Sequence, residues 1–249
     1  MGSPDDRLAE LRDNLATVRS RIEQGCAAAG RSGDEITLIA VTKFFPVTDA
    51  ALLAGLGVID LGESRDQDAS VKATELAALT DVAVRWHFIG RLQSNKARSV
   101  ARYADLVHSV DRQGLAEALE DGARRAERPA LDVLVQLSLD KDAADTDIEP
   151  GAEGRGGSAA DELMRLADRI AASDVLRLAG IMAIAPLDGD PDQAFSRLAE
   201  VAQRLRENHP AAVIVSAGMS DDLEAALRHG ATHVRIGTAL LGRRQPQFR

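Results

Sequence analysis

The run "ITLIAVT" at residues 36–42 is apolar at nearly every position, and Lys43 follows it directly. A strand with one solvated face alternates polar and apolar residues, so an unbroken run marks a strand covered on both faces, as in parallel sheets. Seven comparable runs follow: "VIDLG" from residue 58, "VRWHFIG" from 84, "LVHSV" from 106, "LDVLVQLSL" from 131, "LRLAGIMAIA" from 176, "VIVSA" from 213 and "HVRIG" from 233. Helical patterns separate most of them. Eight such units consume the chain and predict a single α/β domain over residues 1–249, a (β/α)8 TIM-type barrel. An open doubly wound sheet is the competing arrangement.

An extra helix precedes the first strand. Ser3 can cap it, Pro4 suits its first position, and Leu8, Leu11, Leu15, Val18 and Ile22 recur at steps of three and four, with Gly30 and Gly33 beyond. A later helix follows Asp190-Pro191, with Phe195, Leu198, Ala202 and Leu205 on its inner face, and another is expected after Ser220 as N-cap. The polar, acidic, Gly-rich stretch 140–162 is read as a long mobile loop after strand five.

Composition excludes several classes. Thirty basic against 39 acidic residues give a net charge of −9, which argues against a nucleic-acid or anionic-membrane surface. One cysteine, Cys26, allows neither an internal disulfide nor a cysteine metal cluster, and its place on the first helix makes it a packing residue. No apolar run reaches the roughly 20 residues that span a bilayer, and "MGSPDDRLAE" lacks the apolar core of a secretory signal. A soluble, cytoplasmic protein is expected.

Only four of the 30 cationic residues are lysines: Lys43, Lys72, Lys96 and Lys141. Arginine stays protonated in proteins, whereas a desolvated lysine becomes a neutral nucleophile. The active face of this fold is the C-terminal ends of the strands, where Lys43 falls together with Gly62-Glu63-Ser64, His87, "SAGMSDD" (216–222) and "RIGT" (235–238). A lysine in an apolar mouth suits Schiff-base formation with an aldehyde; the plainer alternative pairs it with Glu63. Small residues at Ala217, Gly218 and Gly237, with hydroxyls at Ser216 and Thr238, suit an anion, and phosphate sites are frequent after strands seven and eight. His87 either touches a ligand there or is a satisfied core histidine. The other histidines show no metal-ligand spacing.

An amine for an aldehyde and a cradle for a phosphate together suggest pyridoxal 5′-phosphate (PLP). The motifs "AVTK", "LGES", "WHFIGRLQSNK", "GIMAI", "GMSDDLEAAL" and "VRIGTALLG" resemble, in order, those of the pyridoxal phosphate homeostasis proteins, relatives of the barrel domain of alanine racemase. The resemblance implies a barrel with the cofactor held as a Schiff base on Lys43. It implies phosphate contacts from Ser216, Gly237 and Thr238, with Gly218 and Met219 alongside, and Arg235 facing the pyridine nitrogen. Ser64 stands where the family has asparagine, Phe44 where a smaller or more polar residue is usual, and the loop after strand five is longer than the family norm.

Such a protein buffers or delivers the cofactor, with PLP-dependent apoenzymes as recipients, and is expected to be a monomer without turnover. The alternative is a racemase-like enzyme. Racemisation needs a base on each face of the substrate carbon, and racemases take one from a tyrosine of a second domain in a dimer. The one tyrosine here, Tyr103, lies in a helix away from the strand ends. A Schiff-base aldolase on a sugar phosphate is a third reading that shares the lysine and the anion site.

Overall fold

The eight runs form the eight strands of one closed parallel barrel in sequential order, which excludes the open sheet. The structure, a computed structural model, describes residues 4–127, 130–140 and 156–243. The strands are β1 (Thr37–Val41), β2 (Asp60–Glu63), β3 (Arg85–Phe88), β4 (Leu106–Val110), β5 (Leu131–Leu137), β6 (Leu176–Ala183), β7 (Ile214–Ser216) and β8 (His233–Ile236). Helix α1 (Pro4–Ala28) packs outside the ring. Helices α2 (Val47–Gly55), α3 (Asp66–Leu79), α4 (Ala97–Tyr103), α5 (Gln113–Ala126), α6 (Ala160–Ala171), α7 (Pro191–Asn208) and α8 (Leu223–Arg228) are the crossovers. A single turn, α9 (Thr238–Leu241), follows β8.

Helix ends follow their local chemistry. Past α1, Gly30 takes φ +69°, Arg31 N–H donates to Cys26 O and Gly30 N–H donates to Ala27 O, a Schellman stop. Its expected cap, Ser3, lies outside the described residues. Asp190 caps α7 by accepting from Asp192 N–H, with Pro191 first in the helix. Ser220 is not a cap: α8 starts at Leu223 behind Asp222, whose carboxylate accepts from Met219 N–H and so holds 219–222 as a turn. Cys26 is buried, and burial pushes its thiol pKa up. Most of the stretch 140–162 lies outside the described residues, but its glycine turn is seen: Gly156 and Gly157 have φ +69° and +113°. A Cβ on Gly157 would stand 2.5 Å from Ser138 N.

Strand alternation divides the core. Ala40, Leu61, Trp86, Val234 and Ile236 point outward against α1, α2 and α3, while Phe88, Val107, Val133, Val135 and Val215 face the other helices. The inward positions differ from expectation. Leu106, Leu134, Ala179 and Met182 fill one side of the interior, but elsewhere it carries Asp60, His87, His108, Ser216, His233 and Arg235 among its residues. Barrel interiors are usually layers of bulky aliphatics, so the strands are not apolar on both faces as their runs suggest. Single polar residues at alternate positions were hidden among apolar neighbours.

Candidate functional site

Lys43 occupies a strained corner. Beyond β1 the chain folds back at once, with Phe45 N–H donating 3.0 Å to Thr42 O across Lys43 and Phe44. Phe44 takes φ +69°, the left-handed value that a type II turn demands at its third position and that glycine ordinarily supplies. A bulky residue held there costs on the order of 1 kcal/mol, and such strain gathers at functional positions. The Arg65 guanidinium carbon stands 5.1 Å from the centre of the Phe44 ring. Because Ala40 faces outward, Ile39 and Val41 face the interior, and Lys43 follows in the turn that closes the strand. The β1–β8 register, Ala40 beside Ile236, puts Gly237 level with Val41, so Lys43 and the end of β8 share one side of the mouth.

The corner is clamped from behind. Glu63 Oε1 accepts from Thr42 Oγ1 at 2.7 Å and from Lys72 Nζ at 2.5 Å, while Lys72 also donates 2.8 Å to Thr42 O. Glu63 is thus the partner of Lys72 on α3. Lys72 was not singled out from sequence. Its signal was there: a scarce lysine nine residues after Glu63, two helical turns into the next element. Glu63 Oε2, Asp66 Oδ1 and Tyr103 Oη are buried near this clamp with no hydrogen-bond partner among the described residues. Burial, and then the charges of Asp66 and Glu63, push the Tyr103 phenol well above its ordinary pKa.

Arg235 lies inside the barrel on β8, 4 % exposed. It donates 2.7 Å to Ser216 Oγ and 3.0 Å to Ala183 O, and no carboxylate among the described residues pairs with it. Burial lowers its pKa to about 10, partly offset by the charge of Asp222, so it is cationic at neutral pH. A buried guanidinium with three of its five donors unengaged by described residues calls for an acceptor. A ring nitrogen lone pair fits that need.

The two small-residue turns adjoin, because β7 and β8 pair at Ser216 and His233. Gly218 has φ +91°, and a Cβ there would stand 2.7 Å from Ala226 Cβ. Its carbonyl accepts from Arg235 N–H at 2.9 Å, which ties the turn to β8. Gly237 heads α9, whose first N–H groups, those of Thr238 and Ala239, have no partner within the helix and suit an anion. Ser64 is half-buried at the end of β2, packed by the next strand's turn: a Cβ on Gly90 would lie 2.2 Å from Ser64 O.

Three expectations need correction. The His87 ring is wholly buried, and its nitrogens are engaged by Asp60 at 2.8 Å and His108 at 2.9 Å, so it is not presented at the mouth. The Ser216 hydroxyl is buried and spent on Arg235 and on His108 Nδ1 at 2.9 Å, which takes it from the anion cradle. Met219 N–H is held by Asp222 at 2.5 Å, and its side chain is 37 % exposed. Among the described residues no group of three His, Cys, Asp or Glu side chains is placed to hold a metal ion, and no helix is long and apolar enough to cross a membrane.

Residues 7–245 match the family described as alanine racemase, N-terminal domain. The chain is 46 % identical to the pyridoxal phosphate homeostasis protein of Mycobacterium tuberculosis, over 96 % of this chain and 95 % of that one. The Escherichia coli K12 protein of the same name is 38 % identical, covering 94 % and 97 %. Among solved structures, PipY of Synechococcus elongatus with PLP bound is 30 % identical at a TM-score of 0.77, covering 93 % of this chain and all of that one. Alanine racemase of Streptomyces coelicolor, at 20 % identity and a TM-score of 0.69, shares the fold; this chain spans 58 % of it.

Proposed function

The chain belongs to the pyridoxal phosphate homeostasis proteins of the alanine racemase N-terminal domain family, and from that premise we propose that it holds PLP at the C-terminal mouth of its barrel. The observation that carries the reading is Arg235, a buried cation without a carboxylate partner among the described residues, on the strand next to β1, whose closing turn holds Lys43.

When bound, the cofactor supplies an aldehyde open to amines and a ring that withdraws electrons. Lys43 offers the amine, from a corner that the Thr42–Glu63–Lys72 clamp keeps in place. The turns at Gly218 and at Gly237-Thr238 receive the phosphate through backbone N–H groups and the Thr238 hydroxyl, with Ser64 at the rim. Arg235 faces the ring nitrogen. A fixed positive charge there disfavours a second one on the ring, so the ring stays a weak electron sink. That suits a protein which stores and hands on a reactive aldehyde.

The role is carriage of PLP toward PLP-dependent apoenzymes by a monomer without turnover of its own. The racemase alternative needs a second base, and the chain's one tyrosine does not supply it: Tyr103 is in α4, and its buried phenol stays protonated across the physiological range. The test is a visible spectrum of loaded protein before and after borohydride, with mass mapping of the product. Modification at Lys43 is expected; modification at Lys96 alone would overturn the assignment.

A further inference from the structure

A continuous row of hydrogen bonds crosses the barrel interior and joins five side chains from five strands. Asp60 Oδ1 is 2.8 Å from His87 Nε2, and His87 Nδ1 is 2.9 Å from His108 Nε2. His108 Nδ1 is 2.9 Å from Ser216 Oγ, which accepts from Arg235 Nη1 at 2.7 Å. The step from His108 on β4 to Ser216 on β7 spans the interior. Burying this many polar groups is unfavourable unless each is bonded, and both nitrogens of both rings are. The row begins at the N-terminal end of β2 and ends on the guanidinium at the mouth.

Elementary chemistry orients the row. A guanidinium only donates, so Ser216 Oγ accepts from Arg235, and an ionised carboxylate only accepts, so His87 Nε2–H donates to Asp60. With both imidazoles neutral, one pattern satisfies every bond. Ser216 donates its hydroxyl proton to His108 Nδ1, and His108 Nε2–H donates to His87 Nδ1. The reverse direction would need an extra proton on His87. Burial, aided by the cationic Arg235 and Arg85, lowers the pKa of His108 and holds it neutral. The hydrogen bond from His87 and the charge of Arg85 outweigh burial and keep Asp60 ionised. Arg85 Nη1 stands 3.6 Å from Asp60, and the His233 ring centre lies 6.4 Å from that of His87.

We propose that Asp60, His87 and His108 are positioning residues for Arg235, acting through Ser216 to hold its guanidinium at the mouth with every donor running from Arg235 toward Asp60. The consequence for PLP rests on the function proposed above; the row itself does not. Without His108, Ser216 is free to turn its hydroxyl away, His87 Nδ1 loses its donor, and Arg235 loses an oriented acceptor. An interaction of this kind contributes about tenfold in affinity.

The experiment begins with ligand-free protein and nitrogen-15 NMR of its side chains. In the wild type at neutral pH, both His87 and His108 are expected to carry their proton on Nε2, and Arg235 to show slowed guanidinium rotation. In His108→Phe the Arg235 signals should average, and in His108→Gln, which can both donate and accept, they should be partly restored. A His108 proton on Nδ1, or Arg235 signals unchanged in His108→Phe, overturns the proposal; the wild-type tautomer decides even if the variant does not fold. PLP titration then compares the proteins: His108→Phe should bind about tenfold more weakly while borohydride still modifies Lys43, and equal affinity also overturns the proposal. Failure of the proposed function looks different, as no visible band in the wild type whatever the side-chain signals show.

Discussion

Lys72 Nζ lies 2.5 Å from Glu63 Oε1, the two side chains 8 % and 1 % exposed, and the same ammonium holds the carbonyl of Thr42. The pair stands directly behind the residue that precedes Lys43. It commits one of the scarce lysines, and a carboxylate bonded to the β1 corner, to structure.

This divides the lysines by role. Lys43→Ala should fold normally and lose the visible band and the borohydride-stable adduct. Lys72→Met should keep an adduct at Lys43 but lose about 3 kcal/mol of stability, because Glu63 is left buried without its cation. Adding Glu63→Gln should recover part of that loss. Urea midpoints and mass mapping measure both effects, and loss of the adduct with full stability in Lys72→Met would contradict the division.

Phosphate recognition should dominate affinity. Charge-assisted hydrogen bonds are worth about 1.5–3 kcal/mol each, so the two turns should favour PLP over unphosphorylated pyridoxal by at least about a hundredfold. Gly218→Ala should weaken PLP binding and stability together, since φ +91° and the 2.7 Å approach to Ala226 both reject a Cβ. Equal titration curves for the two aldehydes would remove the anion site.

Acid should destabilise the fold before most carboxylates titrate. Burial lowers the pKa of His233 to about 4, and His108 is lowered too. In the unfolded chain these histidines titrate near 6.5, so between the two values the unfolded state binds protons that the folded state refuses. The stability is therefore complete above about pH 6.5 and falls as pH drops toward 4, by roughly 3 kcal/mol from His233 alone. Asp60, with its lowered pKa, keeps its contribution through this window. Urea unfolding at pH 7.5, 6, 5 and 4.5 measures the slope, and His233→Gln should flatten it. A stability independent of pH over that range would contradict the neutral buried state.

Amino-acid turnover should be negligible. With Tyr103 locked behind α3 and its phenol protonated, no described side chain offers a tyrosinate at the mouth. Loaded protein incubated with L-alanine in heavy water should exchange its α-proton no faster than free PLP at the same concentration. Exchange at an enzyme-like rate that vanished in Lys43→Ala would restore the racemase reading.

The barrel was legible because its signals are local. A strand covered on both faces must read as an apolar run, a helix between strands must carry a stripe at steps of three and four, and eight alternations leave little else for the chain to be. The lysine corner was legible for a related reason. In a chain with 26 arginines, a lysine at a strand end stands out by chemistry alone. What sequence order could not carry was pairing across the barrel. His87 and His108 are 21 residues apart, and His108 and Ser216 are 108 apart, so nothing along the chain shows that they share hydrogen bonds. The Ser216 hydroxyl looked like an anion donor because residues at the end of β7 in this fold so often are; only closure of the ring, bringing β4 opposite β7 and β8, turns it toward His108 and Arg235. Periodicity and residue chemistry, which depend on neighbours in sequence, thus determined the architecture and singled out Lys43 as the candidate amine. Which polar groups meet in the interior, and so which pair with Arg235 and which are left to bind a ligand, was decided by tertiary closure, because a buried polar group takes whichever partner the folded backbone brings within about 3 Å.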